Sequence, residues 1–355
     1  MSRILFLAAI AASFLAPAPA RADEASVATA QAYGALPTVV DARISPDGRT
    51  LATLRNDATG SMLMLQDLQA EGRPGRGMRM GPGVDARSIA WAGDDHVLVL
   101  ASQSNKAKTD RGVKTIEFFR WVLVSQKDMK SKMLFGNEKG YWMPSPGTLL
   151  STAQADAGRI LFQRWAGERA KGPEGDSDSL LKSRPIGNGV SLFAVDLDSG
   201  KRTMVTAGNV NTQSWVIDAT GKPVIRTDEG GKAYLGLSPE SALLGSTERD
   251  GRRALAEFDV ATGKEGRIVA ADPVFDIGSG IYDERSTSVT GYEYIDHMPR
   301  RKWFDPARQR MQESLEKAIP DGVPALWSAL FPLRVGLECR HKEKGLFPGP
   351  FRSNT

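Results

Sequence analysis

Residues 39–54 read Val39-Val40-Asp41-Ala42-Arg43-Ile44, then Ser45-Pro46-Asp47-Gly48, then Arg49-Thr50-Leu51-Ala52-Thr53-Leu54. Two runs rich in β-branched and apolar residues flank a four-residue turn. Proline presets φ at the second turn position, aspartate bonds its own backbone, and glycine accepts a positive φ. The stretch predicts a β-hairpin. Working outward, the design recurs. Ser88 to Trp91 leads into Ala92-Gly93-Asp94-Asp95 and Val97 to Leu100 leaves it; here Asp95 stands at the position matching the turn glycine. Leu149 to Gln154 meets Ala155-Asp156-Ala157-Gly158 before Ile160 to Phe162. Ser214 to Ile217 meets Asp218-Ala219-Thr220-Gly221-Lys222 before Val224-Ile225.

A second kind of turn alternates with the first. Leu192 to Leu197 runs into Asp198-Ser199-Gly200-Lys201, and Leu255 to Val260 runs into Ala261-Thr262-Gly263-Lys264, so both strands end in D-x-x-[ST]-G-K from Asp196 and Asp259. The first-type turns step by 47, 63 and 63 residues, and Asp196 and Asp259 are also 63 apart. Two hairpins per period of about 45–65 residues is the signature of four-stranded propeller blades, which stack because one blade cannot bury both of its faces. A β-sandwich rich in hairpins uses similar turns; the alternation of two turn types favours the propeller, with about five blades in a ring left incomplete. The polar stretch from Gly167 to Gly189 reads as an insertion.

The two ends differ from this body. Met1-Ser2-Arg3, the apolar run Ile4 to Ala16 and the small-x-small sites at Ala18-Pro19-Ala20 and Ala20-Arg21-Ala22 form the pattern of a secretory signal peptide, too short to span a bilayer. Residues 1–22 are read as leader, and the product as exported, periplasmic or secreted, with no membrane span after its removal. Asp23 to Tyr33 reads as a short Ala-rich helix stopped at Leu36-Pro37. Residues 23–322 hold the propeller region. Near its end Asp305 suits a helix N-cap and Pro306 the first helical position, with Ala307, Met311, Leu315 and Ala318 on one packing face. From Val323 to Thr355 the periodicity is lost, and Pro348-Gly349-Pro350 cannot hold a ladder. Either a native disordered tail or a frameshifted one gives that change of character.

Composition narrows the function. The chain has 355 residues, 41% hydrophobic and 25% charged, so it is globular. Its net charge of +4 sits at the ends: Arg3 and Arg21 in the leader, and a net +3 over residues 324–355. The body is close to neutral, which argues against nucleic acid as a partner. One cysteine, Cys339, excludes an internal disulfide and a Cys-based zinc cluster, and His96, His297 and His341 are scattered. No metal or cofactor site is expected.

Leu36-Pro37 before a short strand, Ile44-Ser45-Pro46-Asp47-Gly48, the Trp91-Ala92-Gly93-Asp94-Asp95-His96 hairpin and the Phe304-Asp305-Pro306 helix start together carry a resemblance. Over residues 25–322 the chain resembles the N-terminal portion of exported serine peptidases of the prolyl oligopeptidase family, of the dipeptidyl aminopeptidase and acylaminoacyl-peptidase kind. The resemblance implies a β-propeller that gates access of short peptides to an α/β-hydrolase domain carrying a Ser, Asp, His triad. That hydrolase domain is absent from the sequence. The fold class expected is therefore mainly β, a propeller of four-stranded blades alone.

The chemistry of such a hydrolase needs G-x-S-x-G, a nucleophile on a tight elbow. Ser177, Ser191, Ser238 and Ser145 each lack one of the flanking glycines. Asp296-His297 and His341 have no activated serine before them, and Cys339 has no partner to activate it. Peptidases of the resembled kind can hold a substrate amine with paired glutamates; the nearest acidic pairs, Asp228-Glu229 and Asp283-Glu284, read as solvated turns. No catalytic, cofactor or metal residue is assigned. The expected function is a substrate-gating propeller portion, inactive alone, with short peptides as partners if joined to a hydrolase domain. The alternative is a stand-alone exported propeller that binds a ligand without catalysis.

Overall fold

Asp196 and Asp259 show how the turn chemistry builds hairpins. Each carboxylate accepts from the backbone N–H and the hydroxyl of the residue three on, at 2.7 and 2.6 Å from Ser199 and 2.7 and 2.7 Å from Thr262. Gly200 and Gly263 then take φ of 70° and 64°, and Asp196 and Asp259 close the loop on the carbonyls of Lys201 and Lys264 at 2.9 Å. Those hydrogen bonds, the hydroxyl's foremost, hold both carboxyls below the usual range. At Ser45, the hydroxyl donates to Asp47 at 2.6 Å and accepts from Thr50 N–H at 2.9 Å, while Gly48 sits at φ 73°.

The computed structural model describes residues 38–319 except 71, 110–111, 137–144, 167, 170–184 and 187–188, and the backbone of 322–330 and 334–341. The leader, the expected helix over 23–33, Leu36-Pro37, Ser177, most of the Gly167–Gly189 insertion and the end of the tail lie outside the described residues. Among those described, the chain is mainly β, in successive antiparallel sheets. The first holds β1 Val39–Ile44, β2 Thr50–Asp57, β3 Gly60–Asp67 and β4 Arg76–Arg79 in chain order. The second holds β5 Val84–Ala92, β6 His96–Thr109, β7 Gly112–Ser125 and β8 Ser131–Met133. The third pairs β9 Thr148–Ser151, β10 Arg159–Trp165, β13 Val190–Asp196 and β14 Arg202–Thr206, with a small ladder of β11 Glu168–Arg169 and β12 Pro185–Ile186 between. The fourth has only β15 Thr212–Ile217 and β16 Pro223–Asp228. The fifth has β17 Tyr234–Leu237, β18 Leu243–Arg249, β19 Arg252–Phe258 and β20 Glu265–Ala270; the sixth has β21 Ile277–Asp283, β22 Ser288–Ile295 and β23 Pro299–Trp303. Helix α1, Pro306–Ala318, follows, then a hairpin of β24 Gly322–Leu330 and β25 Arg334–His341 whose backbone lies beside β1 and α1.

These up-and-down sheets are propeller blades, and the alternation along each strand stacks them. In β6, Val97 and Val99 face the first blade while Leu98 faces the third. In β10, Ile160 and Phe162 face the second blade while Leu161 faces the fourth. Leu243 of β18 joins Val216 of the fourth blade, and Leu244 joins Ile277 and Val289 of the sixth. Among the described residues five apolar layers thus separate six blades, where the sequence suggests about five. The turns missed are Ser238 to Ala242 and Glu284 to Thr287. They place Ser241 (φ 68°) and Thr287 (φ 55°), not glycine, in the left-handed region. In the second blade the turn glycine is Gly93, at φ 63°, so Asp95 is not its equivalent.

The expected helix cap is present: the Asp305 carboxylate accepts from Ala307 N–H at 2.6 Å and Arg308 N–H at 3.3 Å. The face it buries is less apolar than expected. Gln312 is the one buried side chain of α1, donating to Glu316 at 2.9 Å, whereas Ala318 is exposed.

The layers carry the stability. Phe162→Ala, which empties a fully buried ring site between blades two and three, is expected to lower the unfolding free energy by about 3–5 kcal/mol in urea titration. Ile295→Ser, at a side chain 62% exposed, is expected to change it by no more than about 0.5 kcal/mol.

Candidate functional site

The first strands of three pairs of neighbouring blades lie side by side: β1 with β5, β15 with β17 and β17 with β21. Turns that follow first strands also meet: Asp47 N–H donates to Asp94 at 2.8 Å, and Gly93 lies against Ala155 and Asp156. Indole N–H groups tie adjacent blades together. Trp91 donates to the carbonyl of Arg43 at 3.1 Å, Trp121 to Gly147 at 3.2 Å and Trp215 to Val190 at 2.7 Å, each bond crossing to an adjacent blade. The Asp41 carboxylate accepts from Ile89 N–H at 2.9 Å, and Gln163 accepts from Trp215 N–H at 2.8 Å, adding two more crossings.

The turn between β21 and β22 reaches farther. It covers the free edge of β9, three blades away. Tyr282 donates its hydroxyl to the carbonyl of Leu150 at 2.8 Å, Thr152 N–H donates to the carbonyl of Glu284 at 2.8 Å, and the hydroxyls of Ser151 and Thr287 are 2.6 Å apart. Ser151 and Thr287 are 1% and 2% exposed. Thr287 is β-branched at φ 55°, a conformation costing of order 1–3 kcal/mol that persists only where the surroundings enforce it.

Around this turn lie charged side chains from three other blades. Glu284 is half-buried; desolvation pushes its carboxyl above the usual range, Asp283 adds to the shift, and Arg43 opposes it. Arg43 is 3.3 Å from Asp41. Asp94, in the second blade's turn, accepts from Asp47 N–H at 2.8 Å. Its carboxyl is also raised by desolvation, with Asp47 and Asp156 contributing. The region is polar and mixes carboxylates with the guanidinium groups of Arg43 and Arg285.

The histidines and acidic pairs fall as follows. His96 begins β6, half-buried. His297 is exposed between β22 and β23, its Nδ1 3.0 Å from Asp296. Neither described histidine side chain is hydrogen-bonded to a serine or threonine hydroxyl. The backbone of Cys339 and His341 lies in β25. Asp228 accepts from Thr212 at 3.1 Å at the end of β16, and Glu229 is exposed. Glu284 is the residue that sequence reasoning misplaced: it reads as part of a solvated turn and is instead held against other blades. Its own stretch carries no signal for that, because the groups that desolvate it lie more than a hundred residues away. Among the described residues no cluster of histidine, cysteine, aspartate and glutamate has the geometry to hold a metal ion, and no helix is long and apolar enough to cross a membrane.

No protein-family description and no curated protein matches the sequence. Solved structures are similar at low identity. The β-propeller domain of the trilobed protease from Pyrococcus furiosus is 14% identical, with 76% of this chain and 86% of that one covered and a TM-score of 0.38. The Cps50 (Swd1) β-propeller domain from Myceliophteria thermophila is 10% identical over 75% and 84%, with a TM-score of 0.41. Porphyromonas gingivalis dipeptidyl peptidase 4 is 11% identical, with 77% of this chain but 39% of that one covered and a TM-score of 0.31. Likeness at this level bears on neither activity nor partners.

Two outcomes test the interior contact. Ser151→Ala leaves the Thr287 hydroxyl buried without its partner and is expected to cost about 1–3 kcal/mol. Adding Thr287→Val, also β-branched, is expected to cost less than the sum of the single changes in a double-mutant cycle. Glu284 binds its proton more tightly folded than unfolded, so its contribution to stability falls as pH rises above its ordinary value of 4.5. Glu284→Gln is therefore expected to stabilise the fold at neutral pH, with a gain that fades on acidification; a gain unchanged between pH 4 and pH 7 would contradict this.

Proposed function

We propose that this chain is the propeller portion of an exported serine peptidase, handling short peptides for a hydrolase domain and inactive alone. The observation that carries the reading is the run of blades with S-P-D-G and D-x-x-[ST]-G-K turns, closed by the Asp305-capped helix, in the order of the resembled family. The leader pattern of residues 1–22 supports export. Purified chain treated with a fluorophosphonate probe is expected to stay unlabelled. Stoichiometric labelling, or hydrolysis of short peptide amides that the probe abolishes, would overturn the proposal.

One observation favours the second reading, a stand-alone binding propeller. The backbone of β25 lies beside β1, so the chain after α1 returns to the first blade. If that hairpin closes the ring, the amides of 322–341 exchange with deuterium as slowly as those of β2 and β3. If the peptidase reading holds and this segment adds nothing to the fold, they exchange within seconds.

A further inference from the structure

One sheet edge in the stack is met by a turn where a strand is expected. β9 ends the third blade's sheet, whose order is β14-β13-β10-β9, so one side of its backbone has no ladder partner. The β21–β22 turn of the sixth blade takes that place. The Leu150 carbonyl accepts from the Tyr282 hydroxyl at 2.8 Å, and Thr152 N–H donates to the Glu284 carbonyl at 2.8 Å. The Ser151 and Thr287 hydroxyls lie 2.6 Å apart. Three hydrogen bonds thus hold together two pieces of chain that the sequence separates by 132 to 136 residues.

Two features make this contact releasable. Thr287 keeps a φ of 55°, which a β-branched residue abandons once its surroundings let it. Glu284, whose carbonyl makes the middle bond, carries a half-buried carboxyl. The hydrogen bond that carboxyl receives comes from its own backbone N–H. Asp283 beside it disfavours its charge and Arg43 of β1 favours it, but Arg43 is shared with Asp41 at 3.3 Å. The charges of Glu284 and Asp283 both bear on the Tyr282 hydroxyl. β9 itself, Thr148 to Ser151, brings no ionisable side chain. Farther out, Asp94 is faced by Asp47, Asp156 and Arg285. A neutral carboxyl tolerates half-burial, whereas a carboxylate needs water that the closed contact restricts. Charging Glu284 therefore favours an arrangement in which the turn has moved off β9.

We propose that the β21–β22 turn is a proton-controlled latch on the third blade, closed on β9 while Glu284 is neutral and released, baring the edge of β9, when Glu284 is charged. Opening is local, with the apolar layers still packed, and is independent of any peptidase role. Its sign follows from linkage. The closed form holds the Glu284 proton above the ordinary value of 4.5, so it is harder to ionise than the open form. Above that value opening becomes easier by at most about tenfold per pH unit, and it levels off once the closed form ionises too.

The test is hydrogen exchange of the whole chain between about pH 4.5 and 7.5, read at the Thr152 amide relative to an unstructured amide at each pH. Protection of Thr152 is expected to fall by about tenfold or more across this range, while Phe193 and Val195, inside the same sheet, stay constant. In Glu284→Gln it is expected to remain at the wild-type acid level throughout. Tyr282→Phe removes one bond and no charge; it is expected to lower Thr152 protection severalfold at every pH and to keep the fall. Should Glu284→Gln not fold, Asp283→Asn replaces it, and the fall is expected to shrink severalfold. Wild-type protection that is flat with pH, an undiminished fall in the folded carboxyl variant, or a parallel fall at Phe193 and Val195 would each refute the latch.

Discussion

Leu161 and Phe162 are neighbours in β10, both buried, on opposite faces of one sheet. That pair expresses the constraint on which the rest depends. A pleated strand sends successive side chains to opposite faces, so a strand apolar at consecutive positions needs a layer on each side. One four-stranded sheet cannot supply both. Blades two to five meet the need by stacking, and each apolar layer is shared between two of them. The T-shaped contacts of Phe135 with Phe162 at 5.4 Å and with Phe193 at 6.5 Å show how such a layer is filled. Phe135 itself has φ 59°, so packing against the third blade holds a backbone that the residue alone would avoid.

Apolar layers are indifferent to sliding, and the polar crossings remove that freedom. An indole N–H that enters a buried layer costs free energy unless it finds an acceptor. Trp91, Trp121 and Trp215 find theirs on the backbone of the adjacent blade. A shift of one blade along another by one residue would strand these donors at a cost of about 1–3 kcal/mol each. The crossings therefore set the register between sheets that burial alone leaves open.

How much of this was legible in the sequence follows from the range of each interaction. The S-P-D-G and D-x-x-[ST]-G-K turns were readable because Asp, Ser or Thr and Gly act on their own backbone within four residues. The Asp305 cap was readable for the same reason. The 63-residue spacing of Asp196 and Asp259 misled, since those turns lie in the outer hairpins of blades three and five. The fourth blade between them has two strands and no outer hairpin, so that one spacing spans two blades. The turns at Ser238 to Ala242 and Glu284 to Thr287 were missed because neither uses glycine for its left-handed residue.

The interior site was illegible for a deeper reason. Asp283-Glu284-Arg285 has the composition of a surface turn, and nothing local contradicts that. Its environment is set by Leu150, Ser151 and Thr152, which reach it only because two intervening blades fold the chain back on itself. The strained Thr287 fits the same account. A threonine at positive φ gains nothing from its own neighbours, but its hydroxyl meets Ser151 inside the stack, and a glycine there would leave the Ser151 hydroxyl with the Ala153 N–H alone. Local conformational cost and long-range hydrogen bonding thus oppose each other at one residue. The backbone stays strained because β9 is already fixed by the layers on both of its faces. The turn adapts to the strand, which places the more deformable partner on the sixth blade.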